Sequence, residues 1–141
     1  LAQNYVLYPY EHLADFNNIK KIISYFVGRN YKLVVKKRSG INNYQYLKRF
    51  DPLFVDDFTQ YQIDRSLCFI ASATSLLFDF QFTGKPIVIP NNKNFNLYKF
   101  INLINVEIFD DDIESRIFET NYLPKLIPKI NNKFVNEFKN I

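Results

Sequence analysis

The sequence predicts an α/β fold, a doubly wound and mostly parallel sheet of six strands. Two observations carry this. Short apolar runs alternate with amphipathic helical stretches along the chain, the order that builds strand–helix–strand units with a parallel sheet covered on both faces. The 141 residues are 48% hydrophobic and 18% aromatic, with no internal repeat or long linker. That is enough apolar matter for one packed core and one domain, 1–141.

Residues 5–8, Tyr-Val-Leu-Tyr, form an apolar run closed by Pro9 and are the first expected strand. Asp15 is placed to cap a helix whose face carries Phe16, Ile19, Ile22, Ile23 and Phe26, with Gly28 expected to end it. Residues 31–36 give a second strand, 43–50 a short helix, and 53–55 a brief third strand after Pro52. The fourth strand is expected over 67–71, a helix over 74–82 stopped by Gly84, and the fifth strand over 86–89, ended by Pro90. Phe95, Tyr98 and Ile101 share a helical face, and residues 105–109 read as a sixth strand. Asp110, Asp111 and Asp112 supply an N-cap and favourable negative charge to a helix running to about Glu119. Beyond Pro124 and Pro128, Ile130, Phe134, Phe138 and Ile141 line one face of a terminal helix.

Right-handed crossovers make a doubly wound domain the economical arrangement, and the strand order taken for it is 3-2-1-4-5-6. Its switch point lies between strands one and four, and ligands of such sheets bind outside the strand carboxyl ends there. Residues 9–12 and 72–75 occupy that place. Ser72, Thr74 and Ser75 are small, bear hydroxyls and precede a helix, whose first amides lack internal partners. With the positive end of the helix dipole they form an anion site. Asp79 lies four residues beyond Ser75 on the same helix face, where its carboxylate accepts hydrogen bonds from ribose hydroxyls. The set suits a nucleotide. The plainer alternative is that Ser72 or Thr74 only caps the helix and Asp79 is solvated. With three glycines in the chain there is neither a Walker loop nor a GxGxxG turn.

Other candidates weigh less. His12, the sole histidine, sits beside Glu11 at the switch point and suits a phosphate or pyrophosphate contact, or else a surface loop. A single histidine excludes a metal site built on several histidines. Asp56-Asp57 and the Asp110 triplet have the oxygen ligands a divalent cation takes, although helix capping accounts for the triplet. Tyr8, Tyr10, Tyr44, Tyr46 and Tyr61 are of the kind that stacks on a base, or that fills a core. Cys68, the only cysteine, excludes an internal disulfide and reads as a buried strand residue. The net charge of +4 is spread along the chain, with one dense cluster at Lys36-Lys37-Arg38. That balance fits an ordinary solvated surface, and no nucleic-acid motif accompanies it.

Residues 70–90, IASATSLLFDFQFTGKPIVIP, resemble the nucleotide-binding segment of CDP-glycerol glycerophosphotransferases, the teichoic-acid polymerase family. More broadly they look like the carboxyl-terminal domain of GT-B glycosyltransferases, capsule-polysaccharide enzymes included. Thr74-Ser75, Asp79-Phe80 and Lys85-Pro86 occupy the positions of that family's paired hydroxyls, acidic residue and Lys-Pro. The resemblance implies that Thr74, Ser75 and Asp79 contact a nucleotide-activated sugar or CDP-polyol donor, with no separate cofactor and no metal. Two departures stand out. Ser72 replaces a common Asp, and Lys37-Arg38-Ser39 replaces a His-Pro after the second strand. Arg38 or Lys37 is then the expected diphosphate partner, guanidinium binding phosphate by paired hydrogen bonds, and the plainer alternative is a solvated strand end.

The resemblance further implies a two-domain transferase of cell-surface polysaccharide synthesis, of which this is the carboxyl-terminal part. An amino-terminal domain would hold the acceptor and catalytic base, so no catalytic residue is assigned here. The absence of Met and the start at Leu1 fit such an excised piece. A cytoplasmic enzyme with peripheral association at the inner membrane face is the expected setting. The competing reading is a non-catalytic α/β interaction module, or a receiver-like one for which Asp56 or Asp57 would be the acceptor.

Overall fold

In the computed structural model, which describes residues 4–10, 16–38, 40, 44–71, 80–91 and 105–124, six parallel strands form one sheet. They are β1 (Tyr5–Pro9), β2 (Lys32–Lys36), β3 (Leu53–Val55), β4 (Ser66–Ile70), β5 (Ile87–Ile89) and β6 (Val106–Ile108), in the order β3-β2-β1-β4-β5-β6. This is the expected order. Leu7 stands opposite Val34 on one side and Phe69 on the other, so β1 and β4 are the central pair. The register slips once in that pairing, between Tyr5 and Val6.

Alternation of side chains across the pleat divides the core in two. Val6, Tyr8, Leu33, Val35, Cys68, Ile70 and Val88 share one cluster with residues of α1 (Phe16–Val27) and α3 (Ile113–Glu119). Leu7, Val34, Phe69, Ile87 and Ile89 form the other, against which Ile63 of α2 (Gln60–Asp64) and Phe80 pack. Helical segments therefore cover both faces, and every central strand is buried on both sides.

Helix α1 buries Ile19, Ile22, Ile23 and Phe26, the face expected from their spacing. Its stop differs in detail from expectation. Gly28 follows the last helical residue, but Asn30 takes the left-handed conformation, at φ 70°. The Asn30 N–H donates to the Val27 carbonyl and the Tyr31 N–H to the Phe26 carbonyl, both at 3.0–3.1 Å. This is a Schellman closure with asparagine in the glycine position. Its apolar contact is present too: the Phe26 and Tyr31 rings meet edge-to-face at 5.8 Å.

Helix α2 has no counterpart among the expected elements. Its signal is a capping box: the Thr59 hydroxyl accepts from the Gln62 N–H and the Gln62 side chain accepts from the Thr59 N–H. The short helix expected over 43–50 is a 3₁₀ helix over Gln45–Phe50. Of the helix expected over 74–82, the described part is Phe80 and a 3₁₀ turn, Gln81–Thr83, closed by Gly84 at φ 71°. Residues 43 and 74–79, the Asp15 cap, the Phe95–Tyr98–Ile101 face and the terminal helix lie outside the described residues.

Helix α3 ends at Glu119 as expected, but Asp112, its N-cap, makes no side-chain capping bond. Asp110 does that work instead. Its Oδ1 accepts from the Asp112 N–H at 2.9 Å, and its carboxylate takes Arg116 Nη1 at 2.5 Å. Arg116 also reaches Glu107 Oε2 at 3.2 Å and the Ile108 carbonyl at 2.6 Å, tying α3 to β6. The opposite end of the face is tied by Glu114, which accepts from Tyr31 and pairs with Arg29.

Candidate functional site

The described chain ends that flank the expected ligand segments lie at the carboxyl edge of the sheet. The Tyr10 N–H donates to the Lys36 carbonyl at 3.1 Å and the Ala71 N–H to the Val88 carbonyl at 3.1 Å. These bonds carry β1 and β4 one residue past their ends, side by side, up to the two segments at the switch point. His12, Ser72, Thr74, Ser75 and Asp79 lie outside the described residues. Two neighbours bound the turn. Ala71 is fully buried at the end of β4, and Phe80 stacks on Phe69 with ring centroids 4.2 Å apart and planes 10° from parallel. The chain re-entering after Asp79 is thus anchored on the sheet face away from α1.

Arg38 is described, and it is exposed two residues past β2. Its backbone is clamped. The Arg38 N–H donates to the Tyr44 hydroxyl at 2.9 Å, and that hydroxyl donates to the Arg38 carbonyl at 3.2 Å. The other two cations of the cluster have partners: Lys36 pairs with Asp57 at 3.6 Å and Lys37 with Asp56 at 3.1 Å. Of the three, Arg38 alone has no carboxylate partner among the described residues. The same pairs account for Asp56 and Asp57. Among the described residues, no group of three His, Cys, Asp or Glu side chains is placed to hold a metal ion.

The five tyrosines separate by position. Tyr8, Tyr10 and Tyr44 are buried, Tyr8–Tyr10 and Tyr10–Tyr44 meeting edge-to-face at 6.0 and 5.0 Å, so they are core. Burial, then the neighbouring phenols of Tyr44 and Tyr46, raise the Tyr10 hydroxyl above the ordinary phenol range, with Arg38 opposing. Tyr61 is exposed at the amino edge, 6.5 Å from the Tyr5 ring, with the Arg65 guanidinium 3.6 Å over its own ring. Tyr46 is exposed at the carboxyl edge and rests on Phe16, centroids 5.3 Å apart.

Lys85-Pro86 stands at the other end of the sheet. Lys85 donates to the Asp64 carbonyl at 3.3 Å, and burial lowers its ammonium pKa while Asp64 opposes that. The Pro86 carbonyl accepts from the Phe69 N–H at 2.9 Å. These two residues join β4 to β5 at their amino ends, around a hollow of about 290 Å³ that Tyr122 and Phe118 also line. Cys68 is buried in the core, where desolvation pushes its thiol pKa well up. Among the described residues no helix is long and apolar enough to cross a membrane. Compared with protein families, curated proteins and solved structures, the chain matches none.

Proposed function

We propose that this chain is the donor-nucleotide-binding domain of a glycosyl- or glycerophosphate-type transferase acting in cell-surface polysaccharide synthesis. The observation that carries the reading is the strand order. It makes β1 and β4 the central pair, so Ala71 at the end of β4 stands at the switch point, where α/β sheets take their ligands, and the hydroxyl-rich segment 72–75 comes next in the sequence. Arg38, with no carboxylate partner among the described residues, adds a guanidinium on the same edge.

In this reading Ser72, Thr74, Ser75 and the amides after them hold phosphate, Asp79 accepts from the ribose hydroxyls, and His12 and Arg38 meet the diphosphate. The donor is a nucleotide-activated sugar or CDP-polyol. An amino-terminal domain supplies acceptor and base, and the fragment alone does not turn over. The setting is cytoplasmic, with peripheral contact to the inner membrane face.

Calorimetric titration with CDP, CMP, UDP and GDP tests it. Binding that Ser75→Ala and Asp79→Ala each weaken supports the assignment. Binding unaffected by both sinks the site, and absence of binding sinks the function. The alternative interaction module predicts that last result. Its receiver-like form needs strand order 2-1-3-4-5, which differs from the order here.

A further inference from the structure

Carboxylates answer many of the described cations. Arg29 pairs with Glu114, Lys32 with Asp51, Lys36 with Asp57, Lys37 with Asp56, and Arg116 with Glu107 and Asp110. Lys20 and Lys21, neighbours on α1, pair with no carboxylate among the described residues. Both line one hollow of about 680 Å³ between α1 and the connection from β6 to α3.

The two sides of this hollow differ in chemistry. On α1, Asn17, Lys20, Lys21 and Ser24 recur at the three- and four-residue spacing of one helix face and form a polar stripe. The stripe runs about 10 Å along the axis, at about 1.5 Å per residue. Toward β6 the lining is aromatic: the Tyr25 and Phe109 rings meet edge-to-face, centroids 5.4 Å apart and planes at 81°. Tyr25 is held in place by its neighbours. The Arg29 guanidinium lies 3.4 Å from its ring centroid, Phe26 meets it at 5.2 Å, and its hydroxyl donates to the Asp111 carbonyl at 3.3 Å. The aromatic side is therefore formed in advance, and a binding partner does not have to order it. Asp111 is the one carboxylate on the lining and pairs with neither lysine, so two ammonium groups against one carboxylate leave positive charge in excess.

We propose that this hollow docks an acidic peptide segment of a partner protein. Side chains of an extended chain alternate sides, at about 3.3 Å per residue, so a stripe of about 10 Å spans three residues. Carboxylates at the first and third positions meet Lys20 and Lys21, and an apolar side chain between them turns to Tyr25 and Phe109. A small inorganic anion would use the lysines and leave the aromatic side uncovered, which is why the occupant is a peptide. The inference uses described residues alone and is independent of the donor-nucleotide reading.

The test titrates the 141-residue chain into fluorescein-labelled peptides and reads anisotropy. One peptide has a Glu-Phe-Glu core, a second Gln-Phe-Gln and a third Glu-Gly-Glu, all with the same Gly-Ser flanks. The Glu-Phe-Glu peptide should bind tightest, and its affinity should fall as sodium chloride is raised, as for exposed charges. Lys20→Glu combined with Lys21→Glu should weaken it at least about fivefold, since two attractive pairs become repulsive. Lys20→Gln with Lys21→Gln should give a smaller loss in the same direction. Lys48→Glu, which reverses an exposed charge elsewhere on the chain, should leave affinity within about twofold. A urea midpoint for each variant close to the parent's shows that folding is intact. Failure of the Glu-Phe-Glu peptide to bind overturns the proposal, as does binding that neither double variant weakens. Equal affinity for Glu-Gly-Glu removes the aromatic contact and overturns it too. So does an equal loss in Lys48→Glu, which would reduce the effect to overall charge.

Discussion

Replacing Tyr44 by phenylalanine removes a single oxygen, and that oxygen carries two hydrogen bonds to Arg38. It accepts from the N–H at 2.9 Å and donates to the carbonyl at 3.2 Å. The ring itself is buried between Tyr10 at 5.0 Å and Phe54 at 5.1 Å, and phenylalanine keeps those contacts. A typical intramolecular hydrogen bond contributes about 0.5–1.5 kcal/mol net. Arg38 is exposed, so water replaces part of what is lost, and about 1–2 kcal/mol in total is expected. For a domain of this size that corresponds to a fall in Tm of roughly 3–10 °C. Urea unfolding followed by circular dichroism gives the stability change, with an unchanged m-value showing that the denatured state is not involved. Amide exchange at Arg38 gives the local effect, and should accelerate by at least several-fold. A variant with the parent's urea midpoint and the parent's Arg38 exchange rate would refute the clamp.

Two other perturbations probe the amino edge and the α3 network. Gly84 is left-handed, and a Cβ there would stand 2.9 Å from Pro124 Cδ and 3.0 Å from its nitrogen. Gly84→Ala combines the left-handed cost, about 1–2 kcal/mol, with overpacking of about 1–3 kcal/mol. A loss of about 2–5 kcal/mol by urea titration is expected, and one below about 0.5 kcal/mol would remove that contact from the account. The Asp110 carboxyl is held below the usual carboxylate range, first by its hydrogen bond from Arg116. A carboxyl depressed in the folded state adds stability above its unfolded pKa, near 4. That stability is lost as pH falls through the lower folded value. Asp110→Asn should therefore flatten the stability–pH curve below about pH 4 and leave its shape unchanged near neutrality. Parallel curves for parent and variant would show that the pair carries no such linkage.

Sequence reasoning reached the fold where patterns are local. The face of α1 follows from a 3.6-residue period, and β4 and β5 from unbroken apolar runs. It missed α2 because five residues offer too short a periodicity. The Thr59–Gln62 pair was the signal present, and only capping chemistry reads it. It placed the α1 stop on Gly28, whereas Asn30 takes the left-handed conformation. Asparagine tolerates that region, so both residues were eligible. At the site, only Arg38 of the six expected ligand residues falls among the described residues.

The linear chain determined its own strand–helix alternation, its central buried strands and the small hydroxyl-rich segment after the fourth strand, since each depends on neighbours within one or two turns. Tertiary structure decided which charges and rings remain available. Lys36 and Lys37 lose their independence to Asp57 and Asp56 because parallel pairing of β2 with β3 brings residues twenty positions apart into one edge. Three of five tyrosines sink into the core and one goes to the opposite end of the sheet, because position along a strand and side of the pleat set exposure. Arg38 and Tyr46 are left outward at the carboxyl edge, a distinction that composition and spacing cannot make, because it arises only when distant segments pack.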